Sequence, residues 1–156
     1  MKKLFILLIA FVFCNCKKQT EDFSLNFIDN KNKLMLSFED EEFGEWGGNE
    51  KEIIIYRDSL DGDILCDFIE KDMISKNLSV PKMESFKRKI KITDEHINLL
   101  IESIQELSIQ KINSKEIISN SGLYSRVQTS DKSLIIDVYP SSKWRSFEIL
   151  CEKLKK

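Results

Sequence analysis

Histidine is almost absent from this chain: His96 is the only one in 156 residues. With one histidine, and with Cys66 and Cys151 far apart, no zinc-ligand spacing exists. His96 stands at the start of an expected helix, next to an apolar stripe, and reads as an ordinary helix residue. Five glycines and two prolines exclude collagen-like repeats and Pro/Gly-rich disorder. Gly44-Glu45-Trp46-Gly47-Gly48 is the richest glycine segment, yet it lacks the lysine and the strand-to-helix setting of a phosphate loop. No serine stands in a Gly-x-Ser-x-Gly elbow, and no cysteine has a local catalytic signature. Positive charge is not in surplus either. Removing residues 1–15, which include Lys2 and Lys3, takes two of the 24 basic side chains and none of the 26 acidic ones, leaving a net charge of −4. Nothing in that balance would displace counterions from a phosphate backbone, so nucleic acid is not an expected partner.

What the chain does have is one long apolar run. Met1-Lys2-Lys3 is followed by ten unbroken apolar residues, Leu4 to Phe13. As a helix that run is about 15 Å long, roughly half a bilayer core, too short to span and suited to a secretory signal. The later run Ile53-Ile54-Ile55-Tyr56 is only four residues long. The signal ends in Phe13-Cys14-Asn15-Cys16-Lys17-Lys18. An apolar run that stops at a cysteine and turns polar resembles the lipobox of bacterial lipoproteins. The resemblance covers about the first 18 residues. It implies a diacylglycerol on a cysteine sulfur and a cut just before it. Cys16, preceded by the small Asn15, fits better than Cys14, preceded by the bulky Phe13. It also implies a protein tethered by two or more acyl chains, which hold stably where one holds marginally. Lys17 is not the acidic residue associated with inner-membrane retention in such lipoproteins, which implies the outer membrane, with the leaflet open. Residues 1–15 then form the signal, 16–22 a polar tether and 23–156 a single domain. The tether, Lys17 to Asp22, is basic and then acidic, like the leader of some surface-exposed lipoproteins, or is a plain solvated linker.

Two cysteines remain beyond the signal. Cys66 shares a strand face with Ile64 and Phe68, and Cys151 shares a helix face with Phe147 and Leu154. Both point to the core. An exported compartment permits a disulfide between them, and two buried thiols are the alternative.

The expected fold follows from periodicity. Phe23 to Ile28 alternates apolar and polar, as a strand does. Leu34 to Phe38 is a second strand, and Glu39 to Glu50 an acidic loop. Glu52 to Arg57 and Asp63 to Ile69 form a hairpin. Phe86 to Ile92 reads as a strand with Phe86, Arg88, Ile90 and Ile92 on one face. Thr93 or Asp94 caps a helix whose stripe is Ile97, Leu100, Ile101, Ile104 and Leu107. Leu123 to Thr129 and Ser133 to Tyr139 make another hairpin that Pro140 stops. Ser141 or Ser142 caps a last helix burying Trp144, Phe147, Leu150, Cys151 and Leu154. The order β-β-β-β-β-α-β-β-α reads as α+β, a largely antiparallel sheet of about seven strands with two helices on one face.

The functional expectation is a binding module with no cofactor and no metal. Asp58 to Asp63 resembles a calcium loop only in part: with Gly62 as its glycine, the terminal ligands would be Arg57 and Phe68. The acidic loop is the segment of interest. Glu41, Glu42 and Glu45 surround Trp46, a residue type enriched in interface hot spots, and acids steer basic partners. Trp46 is alternatively a plug over the sheet. A protein-binding role, such as an immunity protein or an envelope-complex subunit, stands beside an accessory envelope lipoprotein with no discrete ligand. A hydrolase using dispersed carboxylates is a third reading.

Overall fold

Three consecutive isoleucines, Ile53 to Ile55, sit in a central strand of the sheet, because branched side chains pack well on a pleated surface. The computed structural model describes residues 25–29, 31–40, 48–59, 62–72, 83–115 and 121–156. Among them are β1 (Leu34–Asp40), β2 (Glu50–Arg57), β3 (Ile64–Asp72), β4 (Met83–Lys91), α1 (Asp94–Asn113), β5 (Leu123–Thr129), β6 (Ile135–Ser141) and α2 (Arg145–Leu154). The six strands form one antiparallel sheet in the order β4-β3-β2-β1-β5-β6. The first four make a meander. Helix α1 then carries the chain back over the sheet, so β5 pairs with the free side of β1.

Alternation divides the sheet into two faces. Leu34 and Leu36 of β1, Ile53 and Ile55 of β2, Cys66 and Phe68 of β3, Val127 of β5 and Val138 of β6 point to one side and are buried. Both helices join that same core through Leu100, Leu107, Phe147, Leu150, Cys151 and Leu154. The class is therefore α+β, with six strands among the described residues where about seven are expected.

The missing strand is the first. Residues 25–28 form a turn closed by the Ile28 N–H donating to the Leu25 carbonyl at 3.0 Å. Leu25 and Ile28, three apart, are buried, whereas Phe27 is exposed. The alternation that Leu25 and Phe27 share in the sequence is thus not the pattern of their burial, and Phe23 and Ser24 lie outside the described residues. Arg57 holds the turn in place, donating through Nε to the Ile28 carbonyl at 3.1 Å and through Nη1 to the Gly62 carbonyl at 2.6 Å.

Two further expectations are corrected by bulges and by an edge. In β4, Phe68 faces Lys87 and Cys66 faces Ile90, so β4 holds one residue more than β3. Phe86 therefore lies opposite Ile69 on the helix-free face, while Ile90 packs on the core. The bulge places Lys89 at φ 54°, a region costly for a residue with a side chain. The Asp67 carboxylate supports it, accepting the Lys89 N–H at 2.9 Å and the Tyr56 hydroxyl at 3.0 Å. In β6 the strand does not stop at Pro140 but runs through it to Ser141. β6 is an edge strand, where a missing N–H breaks no ladder.

The helices are fixed by one indole. Trp144 is fully buried, stacks on Phe147 with ring centroids 4.4 Å apart, and donates through Nε1 to the Ser103 carbonyl at 2.8 Å. Ser103 lies on α1 between Leu100 and Leu107 and is itself fully buried, so its small side chain makes room for the ring. Helix α1 starts at Thr93, whose backbone N–H donates to His96 Nδ1 at 3.2 Å in a capping box. Here histidine takes the usual place of Glu or Gln, which gives His96 a structural role. Helix α2 starts differently from expectation. Neither Ser141 nor Ser142 caps it. Trp144 occupies the cap position with no side-chain hydrogen bond, and the carboxylate of Glu106 on α1 accepts the N–H groups of Arg145 at 3.0 Å and Ser146 at 2.8 Å. A carboxylate there also meets the positive end of the helix dipole. At the other end of α2, Lys153 pairs with Glu95 at 2.7 Å and Lys155 with Glu70 at 2.8 Å.

Glu106→Ala removes both acceptors at once. It should cost about 1–2 kcal/mol, a fall in Tm of roughly 2–6 °C read by circular dichroism. An unchanged Tm would mean that Glu106 does not cap α2.

Candidate functional site

Both described helices cover one side of the sheet, and among the described residues nothing is layered on the other side. Alternation places Met35, Ser37 and Glu39 of β1 there, with Glu50, Glu52, Ile54 and Tyr56 of β2. Leu65, Asp67, Ile69 and Lys71 come from β3, Tyr124, Arg126 and Gln128 from β5, and Ile135 and Asp137 from β6. The centre of this face is a concavity of about 290 Å³. Ser37 forms its floor, because the register sets Ser37 opposite Glu52 on one side and opposite Arg126 on the other. A small residue between two long ones leaves a dip. Ile69 and Tyr124 supply apolar and aromatic wall, and Gln128 supplies an amide.

The charges around the dip fall into two groups. Lys71 pairs with Glu50 at 3.0 Å, and Lys51 with Glu70 at 3.6 Å. Beyond β5, Asp137 meets Lys111 of α1 at 3.8 Å. Arg126, by contrast, stacks its guanidinium on the Tyr124 ring at 5.2 Å, and its Nε is buried with no hydrogen-bond partner. A desolvated guanidinium N–H without an acceptor is an unsatisfied demand, which an added acceptor would relieve.

The sheet edges offer less. The β4 edge carries Lys87, Arg88, Lys89 and Lys91 and is broken by its bulge. Arg88 lies over Phe86, 4.2 Å from the ring centroid. Charge and bulges are the devices that keep an edge from pairing with a further strand. On β6, Pro140 has no N–H to give a neighbour. Recognition by strand addition is therefore disfavoured, and the face is the available surface.

The candidate residues read from sequence fall in three places. Cys14, Cys16, Glu41, Glu42, Glu45 and Trp46 lie outside the described residues. The two ends of the acidic loop are described, however, and they reach the concavity. Asp40 N–H donates to the Asn49 carbonyl at 2.9 Å, and a side chain at Gly48 would run into the Asp40 carbonyl. Glycine is required at that close approach. Glu39 and Glu50, just beyond these ends, line the dip. Cys66 and Cys151 come to the same core, one from β3 and one from α2, and both stand as free buried thiols. Burial pushes each thiol up to about 12, and for Cys66 the neighbouring Asp67 and Cys151 add to it.

Ser37, Glu52, Arg126 and Gln128 were not singled out by sequence reasoning. The alternation in β2 and β5 puts Glu52, Arg126 and Gln128 on a wet face, but only strand order shows that β1 seats Ser37 between them. Among the described residues no three His, Cys, Asp or Glu side chains converge to hold a metal ion, and no helix is long and apolar enough to cross a membrane. No protein family, curated protein or solved structure matches the chain.

The thiols give a prediction. With Cys14 and Cys16 replaced by serine, the native protein at pH 8 should leave Cys66 and Cys151 unmodified by a thiol reagent, and the denatured chain should react at both. Two fast-reacting native thiols would contradict their burial, and a denatured chain without free thiols would show a bridge. Unfolded thiols ionise at about 8.5, whereas the folded ones keep their protons to about 12. Their contribution to stability is therefore full below about pH 8.5 and is lost as pH rises toward about 12, so Tm should fall over that window.

Proposed function

We propose that the protein is a lipid-anchored extracytoplasmic interaction module that docks a basic protein on the helix-free face of its sheet. The observation that carries this reading is the charge of that face. On β1, β2, β3, β5 and β6 that face carries Glu39, Glu50, Glu52, Asp67 and Asp137 against Lys71 and Arg126, while the cations Arg88 and Lys91 of β4 stand at its far edge. The acidic segment with Glu41, Glu42, Glu45 and Trp46 joins β1 to β2 in sequence, and Glu39 and Glu50, next to its two ends, line the dip on that face. Acid-rich surfaces raise the association rate of basic partners and disfavour acidic ones. Half-buried Ile54, Ile69, Met35 and Tyr124 give that face apolar contact area among the charges. An immunity protein or a subunit of an envelope complex is the concrete form of such a role.

The anchor is proposed from the lipobox-like segment, with Cys16 as the acylated residue and the outer membrane as its site. Acyl chains at Cys16 and the polar tether to residue 22 would let the domain meet its partner at the membrane surface.

Two experiments test the two halves. Metabolic labelling with a fatty acid should be lost in Cys16→Ser and kept in Cys14→Ser. Labelling that survives Cys16→Ser would remove the anchor from this position. For docking, the lipidated protein captured from gently solubilised envelopes should hold one basic protein near equal stoichiometry, with binding that weakens as salt rises. Glu39→Lys with Glu52→Lys should lose that protein while Tm changes by less than about 2 °C. Retention of the same partner by the double variant would contradict docking on this face.

A further inference from the structure

The concavity on the helix-free face contains an acid and a base that are close neighbours and do not pair. Glu52 and Arg126 flank Ser37 from opposite sides, so their backbones are two strand spacings apart, about 10 Å. That is near enough for long side chains to meet, but Arg126 lies instead along its own strand, over Tyr124. The other cations around the dip are engaged, Lys71 with Glu50 and Lys51 with Glu70. What is left open is one carboxylate, one guanidinium, the Ser37 hydroxyl between them and the Gln128 amide, beside the apolar wall of Ile69 and Tyr124.

We infer that this dip is a binding site for a small zwitterion, of the chemistry of a free α-amino acid. The ligand's ammonium meets Glu52 and its carboxylate meets Arg126. Arginine suits the second role, because its planar fork matches a carboxylate. An ammonium and a carboxylate on one carbon, each with a hydrogen bond to its partner, span about 8–9 Å, comparable with the two strand spacings that separate the backbones of Glu52 and Arg126. Ser37 and Gln128 offer further hydrogen bonds, and a modest side chain on the ligand rests on Ile69 and Tyr124. The volume of about 290 Å³ lies at the small end of ligand sites and suits such a molecule. The pairing also explains selectivity. A ligand with only one of the two charges leaves the opposite half-buried group of the protein unanswered, and that loss outweighs the attraction of the single matched charge. The site does not depend on the docking reading, since the dip takes a small ligand whether or not a protein covers the face.

The test uses the purified protein with the twenty free L-amino acids, each at 10 mM, in a thermal-shift assay followed by calorimetric titration of any that act. At least one amino acid should raise Tm by about 3 °C or more. Its N-acetylated and carboxamide forms, and the variants Glu52→Gln and Arg126→Gln, should each bind at least about tenfold more weakly. Ser37→Val, which fills the floor and keeps both charges, should also lose binding and carries the test if either charge variant fails to fold. No shift with any amino acid would overturn the inference. So would a shift that survives blocking of either end of the ligand, or one that the variants leave intact. If Glu52 and Arg126 in fact pair directly in solution, both charge variants will lower the ligand-free Tm and no amino acid will act, and the inference likewise falls.

Discussion

The burial of one indole decides the arrangement of everything above the sheet. Trp144 stands at the junction of β6 and α2, with no exposed surface, stacked on Phe147 and hydrogen-bonded to the backbone of α1. An indole N–H buried without an acceptor would cost free energy, and the Ser103 carbonyl removes that cost only when α1 and α2 lie side by side. Glu106 then reaches the first N–H groups of α2, and Lys153 reaches Glu95 at the other end. These contacts tie the two helices into a single layer. This layer covers one face of the sheet, so among the described residues the opposite face, with its dip over Ser37, is left open by how these two helices are held.

That consequence links packing to function. The buried face satisfies its few polar groups internally, as in the Ser125–Ser141 hydroxyl pair at 2.8 Å and the Ser103 hydroxyl bonded to the Leu99 carbonyl. The open face does so only in part. Asp67 is used to brace the β4 bulge and Tyr56, and Lys71 is used by Glu50. Arg126 Nε has no partner. A guanidinium N–H left without a partner on a surface that neither described helix covers is the physical basis for placing recognition there.

Much of the fold was legible in the sequence, for a definite reason. Strands β1, β2, β3 and β5 and both helices bury a regular stripe, and their periods of two and of three to four survive in the burial of Leu34 and Leu36, of Ile53 and Ile55, and of Phe147, Leu150, Cys151 and Leu154. The failures came where the period is broken or where the contact is long-range. The bulge in β4 reverses the face of Phe86 relative to Ile90, and a period of two cannot report one extra residue. Leu25 and Ile28 are buried by a turn that mimics alternation. The cap of α2 is a carboxylate 40 residues away in sequence, at Glu106, so no local serine could reveal it. The candidate dip depends on β5 crossing to the far side of β1, which no local pattern encodes. Trp46 and its acidic neighbours were visible as residues, but their geometry lies outside the described part of the chain.

The central claim is that the helix-free face is the working surface and is covered in the cell. Single cysteines at Met35 and Gln128 can be labelled with a thiol reagent in a chain with serine at Cys14 and alanine in place of the buried thiols. The sulfur of an acylated Cys16 is a thioether and does not react. Both positions should label rapidly in the purified protein and at least about tenfold more slowly in intact envelopes, while a cysteine at Ile112, exposed on α1, labels equally in both. Equal labelling of Met35→Cys and Gln128→Cys in the two settings would contradict it.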